Sequence, residues 1–330
     1  MNRLQAAFTS SLASHVQKTD GVPVSQALMT YVKTAAAPGV EAITISTSGD
    51  IATYNDIQQL IRSVFGKEGF QEPNIGDHPD FIHLKGTNKA EYNHVVTLFM
   101  DIEASTRLNL LYSPQDVFLI KNAFISCAIA LISAFDGHVH RIMGDAVMAY
   151  FGGKETTAED DVINSLNCAS LLMYFADNVV RKQLKEIYGY EDPFGIRIGI
   201  DYGPKDEVLW ASYGFPGSSE VTATSFYVDV ASKLQHSAPR NQIMLGQSLR
   251  DYVDFPECLL SVKTYTEAGE TYKEPFLTPN LTDRDGNSIN YQKYLLNWRE
   301  YLKYSPAPVL DSEYILGTER SLTVKASVHE

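Results

Sequence analysis

The stretch from Tyr92 to Gly153 constrains the fold more tightly than any other part of the chain. Residues 94–102, HVVTLFMDI, form a nearly unbroken apolar run closed by an acid, Asp101. Such a run reads as a strand buried on both faces. Ser113-Pro114-Gln115-Asp116 then opens a long helix reaching Ala134, with Ser113 as the cap and Pro114 in the first turn. After an Asp136-Gly137 turn, HVHRIM and AVMAYFG alternate as two strands around Gly144-Asp145. That pattern predicts a tight hairpin with Asp145 at its tip.

The rest of the chain extends this pattern. Residues 157–188 predict a second long helix, with Glu159, Asp160 and Asp161 at its start and Arg181, Lys182 and Lys185 towards its end, as the helix dipole favours. FGIRIGIDYG (194–203) reads as a strand and VLWASYGF (208–215) as its hairpin partner. A third helix is expected at 226–236, a short strand at 242–246 and a short helix at 247–253. The order from Tyr92 is therefore β-α-β-β-α-β-β-α-β. It fits an α+β fold with helices packed on one face of a mainly antiparallel sheet, related to the ferredoxin-like arrangement.

Residues 91–264 form this central domain. Residues 1–90 read as an N-terminal extension: loosely helical spacing at 10–34, a β-like run at 40–45, a helical stripe at 56–65 stopped by Gly66, and a polar linker at 74–88. Residues 265–330 read as a C-terminal extension with one amphipathic helix at 290–304, a packing arm.

Charge narrows the partners. The formal net charge is −13 over 330 residues. No basic stripe offers counterion release, so a nucleic-acid backbone is excluded as the main partner, whereas a nucleotide is not. The three cysteines, Cys127, Cys168 and Cys258, match no zinc spacing and lie among apolar residues. They read as buried free thiols in a reducing, cytoplasmic compartment. The most apolar stretch, 123–135, is shorter than the ~20 residues of a membrane span. His138 and His140 lack a third ligand and read as ordinary strand residues. The Asp283–Asn287 segment lacks the terminal Glu of a calcium loop and reads as a turn.

Asp101 and Asp145 carry the chemistry. Alone, the first reads as a turn cap and the second as hairpin chemistry. Together, at the ends of strands expected to be neighbours, they suit Mg²⁺ or Mn²⁺, with substrate phosphates completing the coordination. A two-metal site of this kind activates a hydroxyl and stabilises a pyrophosphate leaving group.

Four separated motifs, LFMDIEAST, HVHRIMGDAVMAYFGG, FGIRIGIDYG and VDVASKLQ, occur here in the order seen in class III nucleotidyl cyclase catalytic domains, which residues 92–263 resemble. The resemblance implies two divalent metal ions held by Asp101, Asp145 and the backbone carbonyl of Ile102. It implies a turn (Ile102, Glu103, Ala104, Ser105 and Thr106) whose amides hold a triphosphate. It also implies a head-to-tail homodimer with composite sites.

At four positions the chain departs from that family. The purine-selecting lysine falls on Arg141 and its partner on Thr222; the helix asparagine falls on Asp229 and the arginine on Lys233. Plainer readings are a strand-end cation paired with an acid for Arg141, a loop hydroxyl for Thr222, and an i,i+4 pair for Asp229 and Lys233. Read functionally, Arg141 is bulky and only donates hydrogen bonds. It favours a small ring with carbonyl oxygens, hence UTP over CTP and pyrimidines over purines. Lys233 would meet developing charge without arginine's fork, and Lys263 reads as a solvated lysine. The whole chain, including KEPFLTPNLTDRDGNSINYQKYLLNWREYL, resembles the pyrimidine cyclases of bacterial Pycsar anti-phage systems. That implies a cyclic UMP or cyclic CMP messenger acting on a separate effector.

Overall fold

The computed structural model describes residues 51–188, 194–273, 282–289 apart from 284, 291–305 and the pair 323–324. The expected features at 10–34 and 40–45 lie outside them. The described chain runs α1 (Ile51–Val64), β1 (Ala90–Tyr92), β2 (Val95–Ile102), α2 (Ser105–Leu111), α3 (Pro114–Ala134), β3 (His138–Met143), β4 (Ala146–Phe151) and α4 (Ala158–Phe175). A π-turn carries α4 into α5 (Arg181–Tyr188). Then come β5 (Ile196–Gly203), β6 (Leu209–Phe215), β7 (Ser218–Thr224), α6 (Phe226–Ser237), β8 (Gln242–Gly246), α7 (Gln247–Tyr252), β9 (Val253–Asp254), β10 (Leu260–Val262), β11 (Thr264–Glu267), β12 (Glu270–Lys273), β13 (Lys293–Leu296) and α8 (Trp298–Tyr301).

The main sheet has seven strands in the order β10-β13-β8-β5-β2-β4-β3. Only β5 and β8 run parallel. Strand β2 is paired along both edges. On one face its Val96, Leu98 and Met100 join the core made by α3 and α4. On the other, Val95 packs with Tyr150, Val208, Trp210 and Val221. The two long helices share one face as expected, while the third, α6, takes the opposite face. It lies so close over β5 that a Cβ on Gly199 would run into the backbone of Ala231 and Gln235. Ser113 and Thr157 cap α3 and α4 through the amides of Asp116 and Asp160. All 21 residues of α3 are long and apolar enough to cross a membrane, but most of the helix is buried inside the fold.

Four expectations change. First, β6 is not the hairpin partner of β5, because β2 and β8 occupy both edges of β5. It joins β1 and the unforeseen β7 in a three-stranded sheet. Second, the linker at 74–88 is packed. Its 3₁₀ turn, Pro79–Leu84, buries Phe81 and Leu84, and the Phe81 ring stacks on Trp210 at 4.1 Å. Helix α1 likewise belongs to the main core through Ile57 and Ile61, and Arg62 donates to the Ala134 carbonyl and to Asp136. Third, in place of the helix expected at 290–304 the described residues form strand β13, then the short helix α8 and a 3₁₀ turn at Leu302–Tyr304. Strand β13 pairs along the edge of β8 that faces away from β5, and its ladder bonds outweigh the helical spacing of the side chains. Fourth, Cys127 and Cys168 are buried but Cys258 is exposed, since Leu259 beside it points into the core instead.

The C-terminal segment is latched by a buried acid. Tyr291 donates its hydroxyl to Asp201 Oδ2 at 2.6 Å, and the amides of Tyr202 and Leu249 donate to Oδ1. Burial pushes the Asp201 carboxyl from 3.8 up to about 7, against these donors. The folded chain thus keeps a proton that the unfolded chain loses. Its contribution to stability is full below the unfolded value and is lost as pH rises through about 7. In urea titrations from pH 4 to pH 8, the midpoint of the wild type should fall relative to that of Asp201→Asn; parallel curves would show that Asp201 is ionised throughout.

Candidate active site

Asp101 lies at the end of β2, opposite Ala146 on β4 and Arg197 on β5. Arg197 grips its carboxylate with two prongs, Nε to Oδ1 at 3.1 Å and Nη2 to Oδ2 at 2.5 Å. Such a fork is the strong form of a charged hydrogen bond. A third arm of the guanidinium reaches the His236 carbonyl at the end of α6. Sequence reading passed over Arg197, because its place opposite Asp101 exists only once the β2–β5 register is set. Gly144 and Asp145 form the two-residue turn between the paired Met143 and Ala146. Gly144 takes the positive φ, +69°, that a hairpin of the right twist needs. Asp145 is half-buried and directly precedes the residue facing Asp101, so the fold brings the two acids to one corner of the sheet.

Below that corner the chain turns from β2 into α2. Ile102 pairs with Ile196, and Ala104 adopts a left-handed conformation (φ 56°) ahead of Ser105 and Thr106. The Glu103 amide donates to the Gly195 carbonyl at 2.9 Å, which removes one amide from the expected anion cradle. The Glu103 carboxylate is held by Arg240.

A second group lies on the same sheet face. Phe99 opposes Met148, and Met148 opposes Arg141; directly opposed residues point to one side. Arg141 is ion-paired with Glu220 on β7, its Nε 3.1 Å from Oε2. Thr222 stands two residues further along β7, in a strand rather than the expected loop, with its Oγ1 3.0 Å from the Tyr150 hydroxyl. The Tyr150 ring lies between those of His140 and Trp210, at 5.0 and 5.1 Å. Burial pushes its phenol up to about 12, so it stays protonated. His138 and His140 both bond the Gly76 carbonyl. Burial lowers both pKa values, which keeps the rings neutral and tying β3 to the preceding segment.

Asp229 and Lys233 are exposed on α6. Among the described residues no ion pair joins them, so the plain i,i+4 reading does not describe them. Lys263 touches the Ser237 carbonyl at 3.5 Å, at the end of α6, rather than standing free in solvent.

Residues 87–268 match the model of the adenylate and guanylate cyclase catalytic domain. The chain belongs to this family. Its α+β, class III cyclase-type fold is the one that the four motifs implied. The chain is 46% identical over 76% of its length to a cytidylate cyclase of Escherichia coli, and 42% identical over 79% to a cytidylate cyclase of Staphylococcus aureus. The matched stretches cover 54% and 60% of those proteins, so the chain spans little more than half of their length. Among solved structures, the adenylyl cyclase CyaB from P. aeruginosa aligns over 63% of this chain and 95% of its own, at 18% identity and a TM-score of 0.49.

The family uses divalent metals, and the corner containing Asp101 and Asp145 suits them chemically. Asp101 already holds a cation, and the oxygen donors are hard. Among the described residues no group of three or more acids, histidines or cysteines gathers into a closed cage. Substrate oxygens would therefore complete any coordination shell. Arg197 competes for the Asp101 carboxylate. Arg197→Gln should tighten Mn²⁺ binding to the nucleotide-free protein about tenfold, because an ion-pair partner no longer has to be displaced. Isothermal titration reads this directly; an unchanged affinity would remove Asp101 from the metal site.

Proposed function

We propose that this chain is a pyrimidine nucleotidyl cyclase that converts CTP to 3′,5′-cyclic CMP and pyrophosphate. The observation that carries the choice of base is the Arg141–Glu220 pair. Glu220 neutralises Arg141 and adds an acceptor beside a donor. Cytosine presents a matching set, an exocyclic amino donor next to ring acceptors, whereas purines are too large for a wall carrying arginine. The names of the relatives, cytidylate cyclases at 37–46% identity, agree. Uridylate cyclase is the second reading, favoured by the bare donor character of Arg141, since uracil offers two carbonyl oxygens.

In this mechanism the ribose 3′-oxygen attacks the α-phosphorus. One O–P bond forms, the O–H bond of the 3′-hydroxyl and the bond to the β-phosphate bridge break, the proton passes to water, and pyrophosphate leaves. Asp101, Asp145 and the Ile102 carbonyl would hold two Mg²⁺ or Mn²⁺ ions, which when bound acidify the hydroxyl and neutralise phosphate charge. Arg197, which now grips Asp101, would be available to donate to the triphosphate if a metal took its place there. The amides of Ala104, Ser105 and Thr106 would hold the phosphate oxygens, and positioning supplies much of the rate. Lys233 would meet charge on the phosphate from a second copy, with Asp229 orienting it or the ribose. Head-to-tail homodimerisation is supported by exposed apolar residues next to the acids: Ile142 and Met143 on the hairpin, and Leu110 and Leu111 on α2. The cyclic nucleotide would act in anti-phage defence as a messenger for a separate effector.

Incubation with all four triphosphates and Mn²⁺, followed by mass analysis, should yield cyclic CMP above cyclic UMP and little purine product. Asp101→Ala and Asp145→Ala should each lower turnover at least ~100-fold. Cyclisation of ATP or GTP in preference to both pyrimidines would overturn the base assignment, and full activity in either variant would overturn the metal assignment.

A further inference from the structure

We propose that Asp77 is a specificity-positioning residue: it ties β7 to the segment that grips β3, and so sets Glu220 and Thr222 against Arg141. This inference rests on the pyrimidine-cyclase reading and deepens it. Arg141 stands on β3, the last strand of the seven-stranded sheet, and Glu220 and Thr222 stand on β7, the last strand of the three-stranded one. Among the described residues no backbone ladder joins these two strands. Ladder bonds fix the spacing of strands within a sheet. Across this seam the spacing is left to side chains and to residues 75–77, which lie against both edges. Ile75 pairs in parallel with Val139, and the Gly76 amide donates to the Val139 carbonyl at 3.1 Å. The Gly76 carbonyl accepts from His138 Nε2 at 2.9 Å and from His140 Nδ1 at 3.0 Å. This grip falls on a β-bulge, because the register shifts between Val139 and Arg141 and leaves His140 as the extra residue. Strict alternation would send Arg141 to the helical face with Val139. The bulge turns it to the face of Met148 instead. The next residue, Asp77, holds the other side of the seam. Its Oδ1 accepts from the Val221 amide at 2.6 Å and its Oδ2 from Lys85 Nζ at 2.6 Å. Val221 is buried and lies between Glu220 and Thr222.

The strap has a chemical consequence. Arg141 offers donors and Glu220 acceptors, so the pattern that a base meets depends on where β7 stands relative to β3. A displacement of ~1 Å is enough to spoil such a pattern. The Arg141–Glu220 pair does not hold the spacing by itself, because its side chains are 44% and 36% exposed and exposed ion pairs keep their geometry weakly. Asp77 is short, only 10% exposed and bonded to backbone, and a charged acceptor makes that bond strong. Its burial also means that it acts through β7 rather than on the base.

The test is the ratio of kcat/KM for CTP and UTP in the purified chain, with thermal melting as a check of folding. Asp77→Ala releases the Val221 amide and should move the ratio towards unity by about tenfold. Asp77→Asn keeps an acceptor for that amide, and Lys85→Met removes the ion pair alone; both should keep the wild-type ratio within about twofold. A role confined to stability would lower the melting temperature of Asp77→Ala and leave its ratio unchanged. Hydrogen exchange of the Val221 amide, read by NMR on wild-type chain labelled with ¹⁵N-valine, needs no variant, and it should be far slower than in an unfolded chain. An unchanged ratio in a folded Asp77→Ala, a shift in Asp77→Asn as large as that in Asp77→Ala, or exchange of the wild-type Val221 amide at the unfolded-chain rate would overturn the proposal. Absence of any cyclic pyrimidine from the wild type would instead overturn the reading on which it rests.

Discussion

The pairing of β2 along both of its edges is the constraint from which the rest of the site follows. Its ladder with β5 sets Arg197 against Asp101, and its ladder with β4 sets Ala146 there, with Asp145 one residue away at the turn. A slip of one residue in either ladder would send Asp101 to the helical core and an apolar residue to the corner. The slip is prevented by burial on both faces: Leu98 and Met100 are locked under α3 and α4, Val95 under Trp210 and Val208. The apolar bulk of the strand is thus what aims two exposed-end carboxylates at a common point.

The segments flanking the cyclase domain strengthen this frame. The turn at Pro79–Leu84 packs Phe81 on Trp210 of the small sheet that carries Thr222, whose β6 edge is paired by β1, and Asp77 and Gly76 bind the edges of β7 and β3. On the other side β13 extends the main sheet, and Tyr291 is fastened to Asp201 beneath it. The group of Arg141, Glu220 and Thr222, proposed to face the base, therefore stands on strands that are braced from behind by residues outside the four motifs.

Much of the architecture was legible in order. The apolar run at 94–102 and the Gly144-Asp145 turn each have one low-energy solution, so β2, the hairpin and the position of both acids could be read from residue type. The two long helices were equally plain from their caps and spacing. What escaped were features set by competition between segments. VLWASYGF is a good strand anywhere, but β8 already held the edge of β5, so β6 paired elsewhere. NYQKYLLNWREYL has helical spacing, but an open ladder on β8 drew Lys293–Leu296 into the sheet. Arg197 carried no local signal, since arginine in a strand is unremarked until its neighbour is known.

The sequence by itself determined the family, because the four motifs are local features tied to their own backbones, and it set Asp101 at the end of an apolar strand and Asp145 in a glycine turn. It also put Arg141 at the position where the resemblance to class III cyclases implies a purine-selecting lysine. Only the tertiary structure decided what those residues face. It placed Glu220 on Arg141, Tyr150 under Thr222 and Arg197 on Asp101, pairs separated by 79, 72 and 96 positions in the chain. Hydrogen-bond direction and charge pairing depend on distances of a few ångströms between such remote residues, and chain order alone does not contain those distances.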